Sequence, residues 1–194
     1  MSTGALHRLI RHGTGRRAAE ERCDLCREPL VAEHRHLVDV DRRELMCACR
    51  ACAVLFDRDA AGHYRLVPRR RHRLAPVPTA SLGIPVGLAF FVVRADGTAL
   101  AHYPGPAGVA VWEVAAPAWR QVADQRPELD HMAPEVEALL VNTARGHQEH
   151  WIVPVDVCYR LVAVLRREWR GLSGGSAVWP AIEGFFAELA ADPR

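Results

Sequence analysis

Lysine is absent from this sequence: all 25 basic residues other than histidine are arginine. Such one-sided usage is the mark of a GC-rich bacterial genome and does not by itself imply a polyanionic partner. The net charge is only +2, which argues against a general polyelectrolyte partner. Long apolar runs are also missing. No stretch approaches the roughly 20 residues needed to cross a bilayer, and the amino terminus carries no apolar segment followed by a cleavage site. The expectation is a soluble, cytoplasmic protein with no membrane attachment. There is no Gly-x-Ser-x-Gly, dinucleotide fingerprint or His-Glu-x-x-His. The run Gly171 to Gly175 has glycines but lacks the lysine and preceding strand of a phosphate loop. No internal repeat is present.

The six cysteines are concentrated: five fall within 30 residues. Cys23-Asp-Leu-Cys26 and Cys49-Arg-Ala-Cys52 are two Cys-x-x-Cys pairs separated by 22 residues. That is the sequence form of a four-thiolate metal site, in which each pair makes a tight knuckle and a hairpin brings the knuckles together. Zn²⁺ is the default ion, with mononuclear Fe or an iron–sulfur cluster as alternatives. Arg22, Arg27 and Arg50 lie beside the cysteines and could offset the charge of four thiolates. Cys47 is a fifth thiol, either spare, an alternative ligand or a group supporting the others. Residues 34–40 read as a strand with His34, His36, Val38 and Val40 on one face. The two histidines are candidates to bind the same ion or to support its ligands. Leu55 and Phe56 are expected to cover the site with apolar surface.

Four segments emerge. Residues 1–20 are a flexible or short-helical amino terminus. Residues 21–64 are the four-cysteine metal-binding ribbon. Residues 65–83 are a basic linker whose run of arginines lacks the interleaved aromatics of a nucleic-acid surface. Residues 84–194 form an α+β domain. There, residues 84–93 form a buried strand, Ala95-Asp96-Gly97 a hairpin turn, 98–103 a returning strand and 109–114 a third. Helices are expected at 117–125, from Pro134 to Gly146, from Pro154 to about Arg170, and over the last segment, and His150 to Val153 is a candidate fourth strand. The Pro134 helix rests on the first-turn proline and on the spacing of Val136, Leu139 and Leu140. The last helix rests on Ile182, Phe185, Phe186 and Leu189 at helical spacing. The two carboxyl-terminal helices are expected to cover one face of the three-stranded meander. The fold class is thus α+β: a zinc-ribbon-like, or rubredoxin-like, metal module followed by an antiparallel β-meander packed with helices.

With these residues read, the chain resembles an uncharacterised bacterial domain family found in NiFe-hydrogenase gene clusters. The resemblance rests on Cys23-x-x-Cys26-x-x-x-Leu30, Glu33-His34-Arg35-His36, Cys47-x-Cys49-x-x-Cys52-x-x-Leu55-Phe56, the stretch His150 to Tyr159, and Trp169-x-Gly171-Leu-Ser-Gly-Gly175. It implies a hydrogenase subunit or maturation factor as partner. The cysteine module also looks like rubredoxin, but lacks the Pro and Gly of that family's second knuckle.

The functional expectation is a non-catalytic metal-binding accessory or assembly protein that acts by protein–protein interaction on a metalloenzyme. The alternatives are a rubredoxin-like iron electron carrier and a thiol enzyme using Cys158, Asp156 and His150. Arg69, Arg70, Arg71 and Arg73 are the candidate partner contacts. On this reading their replacement weakens association and leaves stability nearly unchanged. Nucleic acid is not an expected partner.

Overall fold

The structure, a computed structural model, describes residues 21–56, 62–82, 87–171 and 174–192. The expected amino-terminal helix or flexible segment at 1–20 lies outside the described residues. The chain divides into two compact units, Met1–Pro68 and Arg69–Arg194. Helices and antiparallel sheets coexist, so the class is α+β. No helix among the described residues is long and apolar enough to cross a membrane.

The first unit is a three-stranded antiparallel sheet of order β2-β1-β3, with β1 at Arg35–Asp39, β2 at Glu44–Ala48 and β3 at Tyr64–Leu66. Leu37 at the centre of β1 is fully buried. The β1–β2 turn is set by Asp39, whose carboxylate accepts from the Arg42 N–H at 3.0 Å, and by Arg43 in the left-handed region. Such a side-chain-to-backbone bond two or three residues on is how Asp organises turns. A short helix, α1, follows at Arg50–Val54.

The second unit is a six-stranded antiparallel sheet of order β4-β9-β8-β5-β6-β7. Its strands are β4 (His72–Arg73), β5 (Leu88–Val93), β6 (Ala99–Gly105), β7 (Gly108–Glu113), β8 (Glu137–Asn142) and β9 (Glu149–Pro154). The expected meander is present as β5-β6-β7, and three more strands extend it. Alternate residues of the central strands serve different cores. Phe91, Ala101, Leu139 and Ile152 pack with Trp119 and Val122 of α2 (Ala116–Asp124). On the other face, Phe90 meets Tyr159 of α3 (Val155–Glu168) edge-on at 6.1 Å between ring centroids. α3 lies against β6, β8 and β9, and α4 (Val178–Ala191) packs on α3. Leu161, Leu165, Ile182, Phe185 and Phe186 are all buried. α3 covers one face of the sheet, as expected, and α2 covers the other.

Cover on both faces accounts for residues 134–146, which are expected to form a helix and instead contain the central strand β8. Ala138, Leu139, Leu140 and Val141 are all fully buried. A continuous apolar run is what a strand with both faces covered requires, and such a run matches helical spacing by default. Glu135 sits at φ 69°, which a helix interior excludes.

Candidate metal centre

The first knuckle is a tight hairpin. Arg22 and Pro29 bridge antiparallel, the Cys23 N–H donates to the Glu28 carbonyl at 2.8 Å, and the Arg27 N–H returns to the Cys23 carbonyl at 2.9 Å. Arg27 takes up the left-handed conformation at φ 68° that closes the loop. Its carbonyl accepts from the Arg22 guanidinium at 3.1 Å, which keeps one positive charge at the knuckle. The second knuckle is the start of α1. Cys49 caps that helix, its sulfur accepting from the Cys52 N–H at 3.4 Å.

Asp24 joins the two knuckles. Its N–H donates to the Cys47 carbonyl at 2.9 Å, and its carboxylate accepts from the Cys47 N–H at 2.8 Å. The sulfurs of Cys23, Cys26, Cys49 and Cys52 consequently lie within 4.8 Å of one another. Cys26 and Cys49 are 3.6 Å apart, sulfur to sulfur. A tetrahedral ion about 2.3 Å from each of four sulfurs holds them about 3.8 Å apart, so this cluster could hold a metal ion. Cys23 is fully buried and Cys26 is exposed.

The sulfurs differ in acidity. Burial pushes the Cys23 thiol up, but hydrogen bonds from the backbone at Cys49, Cys26 and Leu25 outweigh it and bring it down to about 6. For Cys52, burial and then the neighbouring sulfurs of Cys26 and Cys49 act together and raise it above the ordinary thiol range. Four adjacent sulfurs cannot all carry charge against mutual repulsion in the absence of a cation. A bound cation reverses that balance, because it stabilises every thiolate at once.

Cys47 stands outside this group. Its sulfur is clustered instead with ring nitrogens of His34 and His36, again within 4.8 Å. Leu55 does not cover the cysteines, being 70% exposed, while Phe56 packs edge-on against Tyr64 at 5.6 Å.

The basic segment is largely engaged within the second unit. Arg70 makes a bidentate pair with Glu137, at 3.0 Å from Nε and 2.7 Å from Nη2. Arg71 pairs with Asp192 at 3.0 Å, and Arg73 with Glu149 at 3.0 Å. Arg69 is exposed. Cys158 is fully buried in α3, and burial, with Asp156 nearby, pushes its thiol well above the ordinary range. A thiol in that state is a packing group rather than a nucleophile. His150 is also buried, and burial lowers its pKa.

Sequence reading misses Asp24 as the clasp between knuckles and the separate grouping of Cys47. For the second, the sequence offers a His-x-His strand and an unmatched cysteine, but not the strand register that sets them opposite each other.

A model of a family of unknown function, DUF5947, matches residues 22–193, and the chain belongs to that family. No curated protein and no solved structure matches it.

Proposed function

We propose that this member of the family is a non-catalytic metal-binding accessory protein. Zn²⁺ held by Cys23, Cys26, Cys49 and Cys52 organises a zinc-ribbon-like module, and the protein acts by binding another protein during assembly of a metalloenzyme. The observation that carries this reading is the gathering of four sulfurs, from two knuckles, within 4.8 Å. Four sulfurs fill a tetrahedral ion and leave no position for substrate or activated water, which is the arrangement of a structural site.

A protein partner is supported by the end strand of the large sheet. β7 exposes Val111 and Trp112, the latter at 72%. An exposed tryptophan on a terminal strand offers both apolar area and backbone groups to a partner. NiFe hydrogenase, as a subunit or through a maturation factor, is the partner class that the resemblance implies.

The exposure of Cys26 favours one other reading, a mononuclear iron site passing electrons through a surface sulfur. Metal analysis of the protein purified from its native host separates the two. Zinc at one equivalent in the four-sulfur site, without visible colour, and co-purification of hydrogenase subunits that Trp112→Ala reduces, is the expected result. Visible ferric–thiolate absorption would move the reading to electron transfer. Normal metalloenzyme assembly in a deletion strain would defeat the accessory role.

A further inference from the structure

His34, His36 and Cys47 are brought together by the register of two strands. His36 in β1 lies directly opposite Cys47 in β2. Their backbone groups are directed away from each other: the His36 carbonyl accepts from the Val67 N–H at 3.0 Å, and both backbone groups of Cys47 are held by Asp24. A cross-strand pair of this orientation is the narrow kind, with the side chains closest. His34 is two residues before His36 and falls on the same face. Its ring centroid is 4.8 Å from that of His36.

His34 is the most informative of the three. Its side chain is only 7% exposed. Nδ1 lies 2.9 Å from the Val31 carbonyl, which can only accept, so the ring proton sits on Nδ1. The Glu21 carboxylate is 3.7 Å from the same nitrogen. Nε2 is buried with no hydrogen-bond partner among the described residues, and in the neutral ring it is the lone-pair nitrogen. An unmet buried acceptor is costly, and native proteins keep few of them without a reason. Metal-bound imidazoles characteristically donate their other N–H to a carbonyl or carboxylate. His34 is already arranged in that way.

We infer that His34 Nε2, a ring nitrogen of His36 and Cys47 Sγ form a second metal site, separate from the four-sulfur cluster, for a divalent transition-metal ion of the zinc class. Two neutral imidazoles and one thiolate suit zinc, cobalt or copper and disfavour calcium and magnesium, which take oxygen ligands. With a divalent ion this set carries a net charge of +1. Three protein ligands leave a fourth position for water or for a side chain of another protein. The ion here is therefore the exchangeable one of the two. This assignment does not depend on which metal the four sulfurs hold.

The test is cobalt titration of the reduced full-length chain, with cobalt as the probe. The wild type is expected to bind two equivalents, one with the spectrum of a four-sulfur site and one with weaker thiolate-to-cobalt charge transfer. Cys47→Ser and His34→Gln should each bind one equivalent and keep the four-sulfur spectrum. The wild type also carries the test alone: the second equivalent should shift the ring-nitrogen resonances of His34 and His36. A single equivalent in the wild type, or ring nitrogens unmoved by the second, overturns the site. Loss of the four-sulfur spectrum alone, with the second equivalent retained, would count against the structural-zinc reading and leave this one standing.

Discussion

Glu137 is a carboxylate buried to 2% exposure, and its two oxygens are taken by the Arg70 fork and the Ala133 N–H. Arg70 also donates to the His131 carbonyl at 3.1 Å. Removing the guanidinium would leave a desolvated charge held by one backbone donor, which is the costly way to break an ion pair. Arg70 is itself about half exposed, so the cost is discounted for solvent screening. Arg70→Met is expected to lower stability by about 2 kcal/mol in urea unfolding. Adding Glu137→Gln should restore part of it, since the stranded charge is gone. An unchanged unfolding midpoint in Arg70→Met would return that arginine to the solvated surface where the sequence places it. In sequence the arginine run reads as one surface. Charge runs carry no record of which carboxylates the fold brings near, and Glu137 lies 67 residues away.

At the scale of elements, legibility follows whether a pattern has one structural solution. The amphipathic α3 and the apolar stripe of α4 can be read, because polar residues mark the exposed side. β5, too, is legible through its length and the Gly97 turn, where φ is 84°. β8 is not, since its core is apolar at every position and the burial of both faces depends on strands and helices distant in sequence. β4 is two residues long and exists only through pairing with β9. The knuckles are legible from spacing, whereas the grouping of Cys47 with two histidines depends on the β1–β2 register, which spacing does not encode. Gly87 shows how tightly the end of β8 is held. It sits at φ 70°, its carbonyl accepts from the Thr143 N–H at 2.6 Å, and an added Cβ would fall 2.7 Å from the Ala144 nitrogen. The two nearest atoms are backbone and cannot swing away. Gly87→Ala is expected to cost about 3 kcal/mol, and amides of β8 and of β5 should lose hydrogen-exchange protection together. A loss below about 0.5 kcal/mol, the range of ordinary surface changes, would show that the loop yields freely.

For the whole molecule, the two units differ in what can hold them together. Among the described residues, the first unit buries Leu37, Val38, Ala48, Ala53 and Val67 beside Cys23, mostly small side chains. The second buries Phe90, Phe91, Trp119, Leu139, Leu140, Trp151, Ile152, Leu161, Ile182, Phe185 and Phe186, with many more. At about 25 cal/mol per Å² of apolar burial, a core of the first kind falls well short of the ordering entropy of its chain. Small modules in that position depend on a metal or a disulfide, and among the described residues the cysteines form no disulfide. Bound metal then contributes folding free energy directly, because the unfolded chain offers no preformed site. A strong chelator is therefore expected to abolish hydrogen-exchange protection in β1, β2 and β3, while β5, β8 and β9 keep theirs. Cys49→Ser should reproduce that pattern with no chelator present. If the amides of both units lost protection together, the stability of the second unit would have to depend on the first. If those of the first unit kept their protection after complete metal removal, the four cysteines would be dispensable for its fold, and an ion in them would have to be explained by function alone.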